Sequence, residues 1–185
     1  MTQLTQLPDN LPVPIDDGGC DHLKGLVLPD FELPSTKGGN VNLSKIKGDV
    51  VVYIYPMTGR PDVALPDGWE QIPGARGCTP QSCSFRDHHA ELKELNATLF
   101  GLSTQSTEYQ REASTRLHLP FPLLSDAQLI FANSLKLPMM FVEDLKLIKR
   151  TTLICKNGII EHVFYPVFPP DKNVDHVINW LKNNG

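Results

Sequence analysis

Along the chain, apolar positions fall into short runs whose spacing switches between two periods. The run VVVYIY, residues 50–55, is apolar at every position, which suits a central strand covered on both faces. TLFGLST (98–104) and FPLLSD (121–126) repeat the strand signal. Phe85, His88 or His89, Leu92, Leu95 and Leu99 recur at close to helical spacing, and EYQREASTRL (108–117) puts Tyr109, Ala113 and Leu117 on one stripe. AQLIFANSL (127–135) predicts a further helix. In RTTLICKNGIIEHVFY (150–165) two strand-like runs flank Asn157-Gly158, the pair that a tight hairpin turn with positive φ favours. Val174, Val177, Ile178 and Leu181 mark a last amphipathic helix. Strands alternating with helices and closing on an antiparallel hairpin predict an α/β sandwich with a mixed central sheet.

Two segments lack either period. Residues 1–25, rich in Pro, Asp and Gly, read as an irregular extension ahead of one domain spanning 26–185. Residues 57–77 form a long loop dense in Pro and Gly that ends in GARG. A loop of that length inside a compact domain is functional or mobile.

Composition narrows the classes. A chain of 185 residues with 41% apolar content suffices for one well-packed core. The net charge of -4 comes from mixed signs without long like-charged runs, which disfavours nucleic acid or an anionic membrane as partner. No apolar stretch approaches the roughly 18 residues of a membrane span. The first residues lack the charged and apolar regions of a signal peptide, so a cytoplasmic location is expected. There cysteines stay reduced unless they turn over in catalysis, and four cysteines are too few for a disulfide framework in a chain this long.

The candidate chemistry lies in GARGCTPQSCSFRDHH, residues 74–89. Thr79 as N-cap and Pro80 at the first helical position predict a helix start just after Cys78. A helix N-terminus stabilises a thiolate through its partial positive charge and free N–H groups, and Arg76 and Arg86 lie nearby. Cys83, five residues on, falls on another face at about 100° per residue, so bonding the pair requires the first turn to unwind. A zinc site from Cys78, Cys83, His88 and His89 is disfavoured, because adjacent helical histidines diverge. Cys155 alternates with its neighbours on a strand and reads as packing. Cys20 reads as a small buried residue or a spare thiol in the extension.

VVVYIYP, GCTPQSCSFRDHHAEL, LFGLST, FPLLSD, KRTTLICKNGIIEHVFYP and DHVINWL follow in the order and spacing of the peroxiredoxins. The chain resembles the peroxiredoxin Q (bacterioferritin-comigratory-protein) subfamily over nearly all of residues 26–183. The resemblance implies a thioredoxin fold and a thiol peroxidase that needs no cofactor. It places the peroxidatic cysteine on Cys78, the resolving cysteine on Cys83 and the active-site arginine on Arg150. The substrate would be hydrogen peroxide or an organic hydroperoxide. The reductant would be thioredoxin, glutaredoxin or a small thiol, and the protein a monomer or weak homodimer. Two other readings remain open: a one-cysteine peroxidase resolved by an external thiol, and a non-catalytic redox sensor or binding module. Thiol–disulfide exchange in the manner of thioredoxin is disfavoured, since the chain has no Cys-x-x-Cys.

One departure stands out. Peroxiredoxins carry Pro-x-x-x-Thr-x-x-Cys, whereas Gln71 and Ala75 occupy the positions seven and three before Cys78. If Arg60 to Ala75 bulges outward as an Ω-like loop, Pro56 and Thr58 would supply the shield and the peroxide-orienting hydroxyl. Otherwise the loop, with Pro73 and Arg76, lines the pocket. Trp69 reads either as a substrate contact or as a tether for the loop.

Overall fold

A computed structural model describes residues 4–185. A five-stranded mixed sheet forms its centre, in the order β5 (Leu123–Ser125), β4 (Ala97–Ser103), β3 (Asp49–Ile54), β8 (Thr151–Lys156), β9 (Ile159–Phe164). β3 runs parallel to β4 and antiparallel to β8, with Ile54 opposite both Leu102 and Thr151. The continuous apolar run thus occupies the middle of the sheet. Its alternate residues feed two cores: Val50, Val52 and Ile54 join one, Val51 and Tyr53 the other. The first core is closed by Leu23, Leu28, Leu33 and Leu43 and by α4 (Ile130–Leu135). The second is closed by α1 (Cys78–Asp87), α2 (His89–Glu94) and α5 (Asn173–Asn184). The predicted α/β sandwich with a mixed sheet and a closing hairpin is what forms. Asn157 and Gly158 take φ of 51° and 81° at the β8–β9 turn, and Val174, Val177, Ile178 and Leu181 are all buried on α5.

Several elements differ from the sequence pattern. The helix after Cys78 does not run on to Leu99. It breaks at His88, whose φ of −103° and ψ of 10° end α1 and open α2, and Leu99 belongs to β4. The helix start is also two residues earlier than expected. Gly77, at φ 110°, is the N-cap and Cys78 the first helical residue, so Thr79 and Pro80 are second and third. Gly77 can turn the chain there because it lacks a Cβ; a Cβ would collide with Pro170 and lie 2.9 Å from Leu7 Cδ2. Two short hairpins had no clear period-2 signal: β1 (Leu33–Pro34) with β2 (Asn40–Val41), and β6 (Met139–Val142) with β7 (Leu145–Ile148). α3 (Thr107–Arg116) packs beside β5, and its N-cap Ser106 accepts the Tyr109 N–H.

The 57–77 loop contains a single 3₁₀ turn, Trp69–Gln71. Residues 61–64 are exposed, while Trp69 is buried with Met57, Ala75, Val142 and Leu147 in a small third core. The loop bulges outward and Trp69 pins it to the β6–β7 hairpin. That is the tether reading of this tryptophan.

Candidate active site

The site lies where β3 ends and α1 begins, at the edge of an open α/β sheet that such folds favour for chemistry. α1 is fixed against β3 by two contacts of Tyr53. Its ring stacks on Phe85 at 4.5 Å between centroids, and its hydroxyl donates to Ser82 Oγ at 3.0 Å. Pairing of β8 with β3 puts Thr151 opposite Ile54. Arg150, one residue earlier, therefore arrives at the same end of the sheet as Cys78.

Both side chains are 3% exposed. Arg150 Nη2 lies 3.2 Å from Cys78 Sγ, and the thiol itself is 3.6 Å from the Ala75 carbonyl. The same Nη2 reaches the carbonyls of Gly74, Ala75 and Arg76 at 3.1–3.2 Å. Nη1 donates to Gln81 Oε1. Gln81 in turn donates to Asn173 Oδ1 at 2.9 Å, which also accepts from Thr152 Oγ1 at 2.7 Å. This relay holds the guanidinium plane between α1, α5 and β8. Arg150 Nε is buried and has no hydrogen-bond partner among the described residues. It is a donor still to be satisfied, and a buried unmet donor is costly unless something occupies the space beside it.

Sequence reasoning missed Gln81 and Asn173. Gln81 lies three residues after Cys78 on one helix, so the i, i+3 spacing places it beside the thiol; Asn173 gave no comparable signal. Thr58 was expected near the sulfur as the peroxide-orienting hydroxyl; its hydrogen bonds run to Gln105. It is 1% exposed, and both its N–H and its hydroxyl donate to Gln105 Oε1, at 2.9 and 3.2 Å. Pro56 is buried at the end of β3. The position three before Cys78, Ala75, does sit at the thiol, and it contributes a carbonyl where a side-chain hydroxyl was expected. Arg76 is turned from the sulfur: its guanidinium meets Glu70 and the carbonyls of Leu4 and Gln6.

The other cysteines divide clearly. Cys83 is half-buried against the second core, and burial pushes its thiol pKa up. Cys20 and Cys155 are buried in the first core, and burial pushes their pKa values up to about 11 and about 12. Such thiols are inert at neutral pH. His88 and His89 face different neighbours, Asp175 and Phe121, and no metal-binding cluster occurs among the described residues.

Comparison with known proteins accords with this geometry. The Redoxin family model matches residues 24–178. A chloroplastic peroxiredoxin Q of Sedum lineare is 32% identical over 161 residues, which cover 86% of this chain and 78% of that protein. The peroxiredoxin Q of Oryza sativa subsp. japonica is 30% identical over 86% of this chain and 67% of its own. The crystal structure of peroxidoxin BcpB from Mycobacterium tuberculosis is similar with a TM-score of 0.72 at 28% identity, covering 89% of this chain and 99% of that one. A PrxQ mutant from Xylella fastidiosa shares the fold, with a TM-score of 0.71 at 20% identity over 88% of this chain and 97% of its own. With its thioredoxin fold, the chain belongs to the redoxin family, in its peroxiredoxin Q branch, and is a thiol-dependent peroxidase.

Proposed function

We propose that Cys78 is the peroxidatic nucleophile, Cys83 the resolving thiol and Arg150 the group that orients the peroxide. The observation that carries this is the 3.2 Å approach of Arg150 Nη2 to Cys78 Sγ in a buried pocket at a helix N-terminus. The Cys78 thiolate attacks the nearer peroxide oxygen, the O–O bond breaks, and sulfur is oxidised to sulfenic acid while water or an alcohol departs. The guanidinium and the first N–H groups of α1 offset negative charge on the thiolate and on the departing oxygen. The unpartnered Nε of Arg150 is the donor that a bound peroxide oxygen would take.

Cys83 then attacks the sulfenic sulfur and displaces water, giving a Cys78–Cys83 disulfide. A dithiol reductant of the thioredoxin or glutaredoxin kind, or a small thiol, returns both sulfurs to thiols. We place this cycle in the cytoplasm, where such reductants are kept reduced. Thr58 serves the end of β3 through Gln105 rather than the peroxide, and the 74–76 backbone takes over the positioning.

Mass spectrometry after one equivalent of hydrogen peroxide tests the assignment. A Cys78–Cys83 disulfide is expected. A sulfenic acid that persists on Cys78 would transfer the resolving role to an external thiol, and an unmodified Cys78 would reject the scheme.

A further inference from the structure

The irregular N-terminal segment is tied across the site. Leu4 and Gln6 offer their carbonyls to Arg76 Nη1 and Nη2, at 3.5 and 3.3 Å, and Arg76 is only 6% exposed. Leu7 sits against Gly77 and Pro14 against Gly74, the two ends of the stretch whose first three carbonyls bind Arg150. At the far end Asp17 accepts from Lys149 Nζ at 2.6 Å and from the Tyr165 hydroxyl at 2.7 Å. The segment is therefore tied at both ends and rests on the body through Leu7, Leu11, Pro12 and Pro14.

Two spaces adjoin it. Beneath Leu11 and Pro12 the segment closes on Arg150, Val167 and Pro170 so tightly that no water fits. Beside it, Pro14, Ile15, Pro73, Met140 and Tyr165 line a narrow passage of about 90 Å³ with Arg150 in its wall; Cys78 does not line it, and Arg150 Nη2 bridges the two at 3.2 Å from the sulfur. Sites for ordinary organic ligands span about 300–1,000 Å³, so this passage is far smaller. A groove of about 820 Å³ lies between the 57–77 loop and the β6–β7 hairpin, but neither Cys78 nor Arg150 lines it.

We infer that residues 4–17 form a fixed strap that restricts the Cys78–Arg150 centre to small hydroperoxides, hydrogen peroxide above all, with Pro14 and Ile15 setting the limit. A molecule of two oxygens passes the gap, whereas an aromatic or fatty hydroperoxide requires the strap to lift. Lifting breaks the Asp17 and Arg76 ties together and exposes Leu7 and Leu11. This selectivity rests on Cys78 being the peroxidatic thiol.

Three full-length variants test it: Leu7→Ser with Leu11→Ser, Asp17→Ala, and Ile15→Trp. The first two loosen the strap from different ends, and the third narrows the rim at a position that is 86% exposed. Stopped-flow rate constants are measured with hydrogen peroxide and with cumene hydroperoxide. The cumene-to-hydrogen-peroxide ratio should rise about tenfold or more in the loosened variants and fall in Ile15→Trp, the scale of steric discrimination in enzyme pockets. Ratios that stay within about twofold of the unaltered chain in all three overturn the inference, as does equal use of both peroxides by the unaltered chain.

Alkylation of Cys78 by iodoacetamide and by pyrenylmaleimide gives a second readout that needs no turnover. Preference for the small reagent, lost on loosening, is expected. Size-blind alkylation beside intact hydrogen peroxide reduction rejects the strap alone. Size-selective alkylation with no peroxide reaction at Cys78 rejects the peroxidatic assignment, and the substrate claim with it.

Discussion

Cys78 and Cys83 stand on different sides of one helix, the first and sixth residues of α1. Five helical steps turn the chain by about 500° and advance it by about 7.5 Å. A disulfide needs Cα atoms within about 7 Å and Cβ vectors that converge. The pair cannot close while α1 is intact. Amide hydrogen exchange across residues 78–85 should therefore quicken when one equivalent of peroxide is added. A disulfide formed with unchanged exchange would show that the helix need not open. Cys83→Ser should retain the first oxidation and keep the amides protected.

The same relationship sets a pH dependence. Burial raises the Cys83 pKa in the intact helix, so the sulfur is mostly thiol there at neutral pH and resolution accelerates as pH rises. If unwinding comes first, the desolvation that raised the pKa is gone when Cys83 attacks. Disulfide formation should then level off near the ordinary thiol value of about 8.5. Rapid-quench mass spectrometry across pH 6–10 would locate the plateau. One displaced upward would mean attack from the folded helix.

Arg150→Met should lower the second-order rate constant with peroxide about 10²–10³-fold, the range for removing one preorganised donor at a developing charge. It also leaves three carbonyls, two of them buried, without their shared donor, so a fall in melting temperature is expected as well. Gln81→Leu acts through Arg150 and should cost less, about tenfold, with recovery in Gln81→Glu, which can again accept from the guanidinium. Equal rates in the Leu and Glu variants would assign Gln81 a purely structural part.

Thr58→Val should leave peroxide reduction close to that of the unaltered chain. The hydroxyl donates to Gln105, and losing one such bond costs about 1 kcal/mol of stability. Chemical denaturation and the peroxide rate constant separate the two effects. A large kinetic loss with unchanged stability would return Thr58 to the reacting centre.

The sheet and most helices were legible because their apolar positions obey a period. VVVYIY declares a buried strand, and the 174–181 stripe declares α5. The place of Cys78 was legible too, since a Gly-rich loop followed by Thr-Pro signals a helix start, and the cysteine is buried there. What escaped depends on contacts far apart in the chain. Asn173 matters because α5 brings it to Gln81, 92 positions away, and no local pattern records that. The break at His88 escaped because Leu92 and Leu95 keep the helical spacing across it. The N-terminal segment escaped because Pro and Asp read as solvated chain, although Leu4, Leu7 and Leu11 recur within it.

The Arg150 cradle also bears on when the thiol becomes reactive. Its carbonyls come from residues 74–76, its cation from residue 150, and the two meet only once β8 has paired with β3. A chain emerging from the ribosome exposes Cys78 long before it has made Arg150. Throughout that interval the sulfur is an ordinary cysteine with no guanidinium beside it. On the role proposed for Arg150, activation of Cys78 thus waits for a strand 72 positions further along the chain.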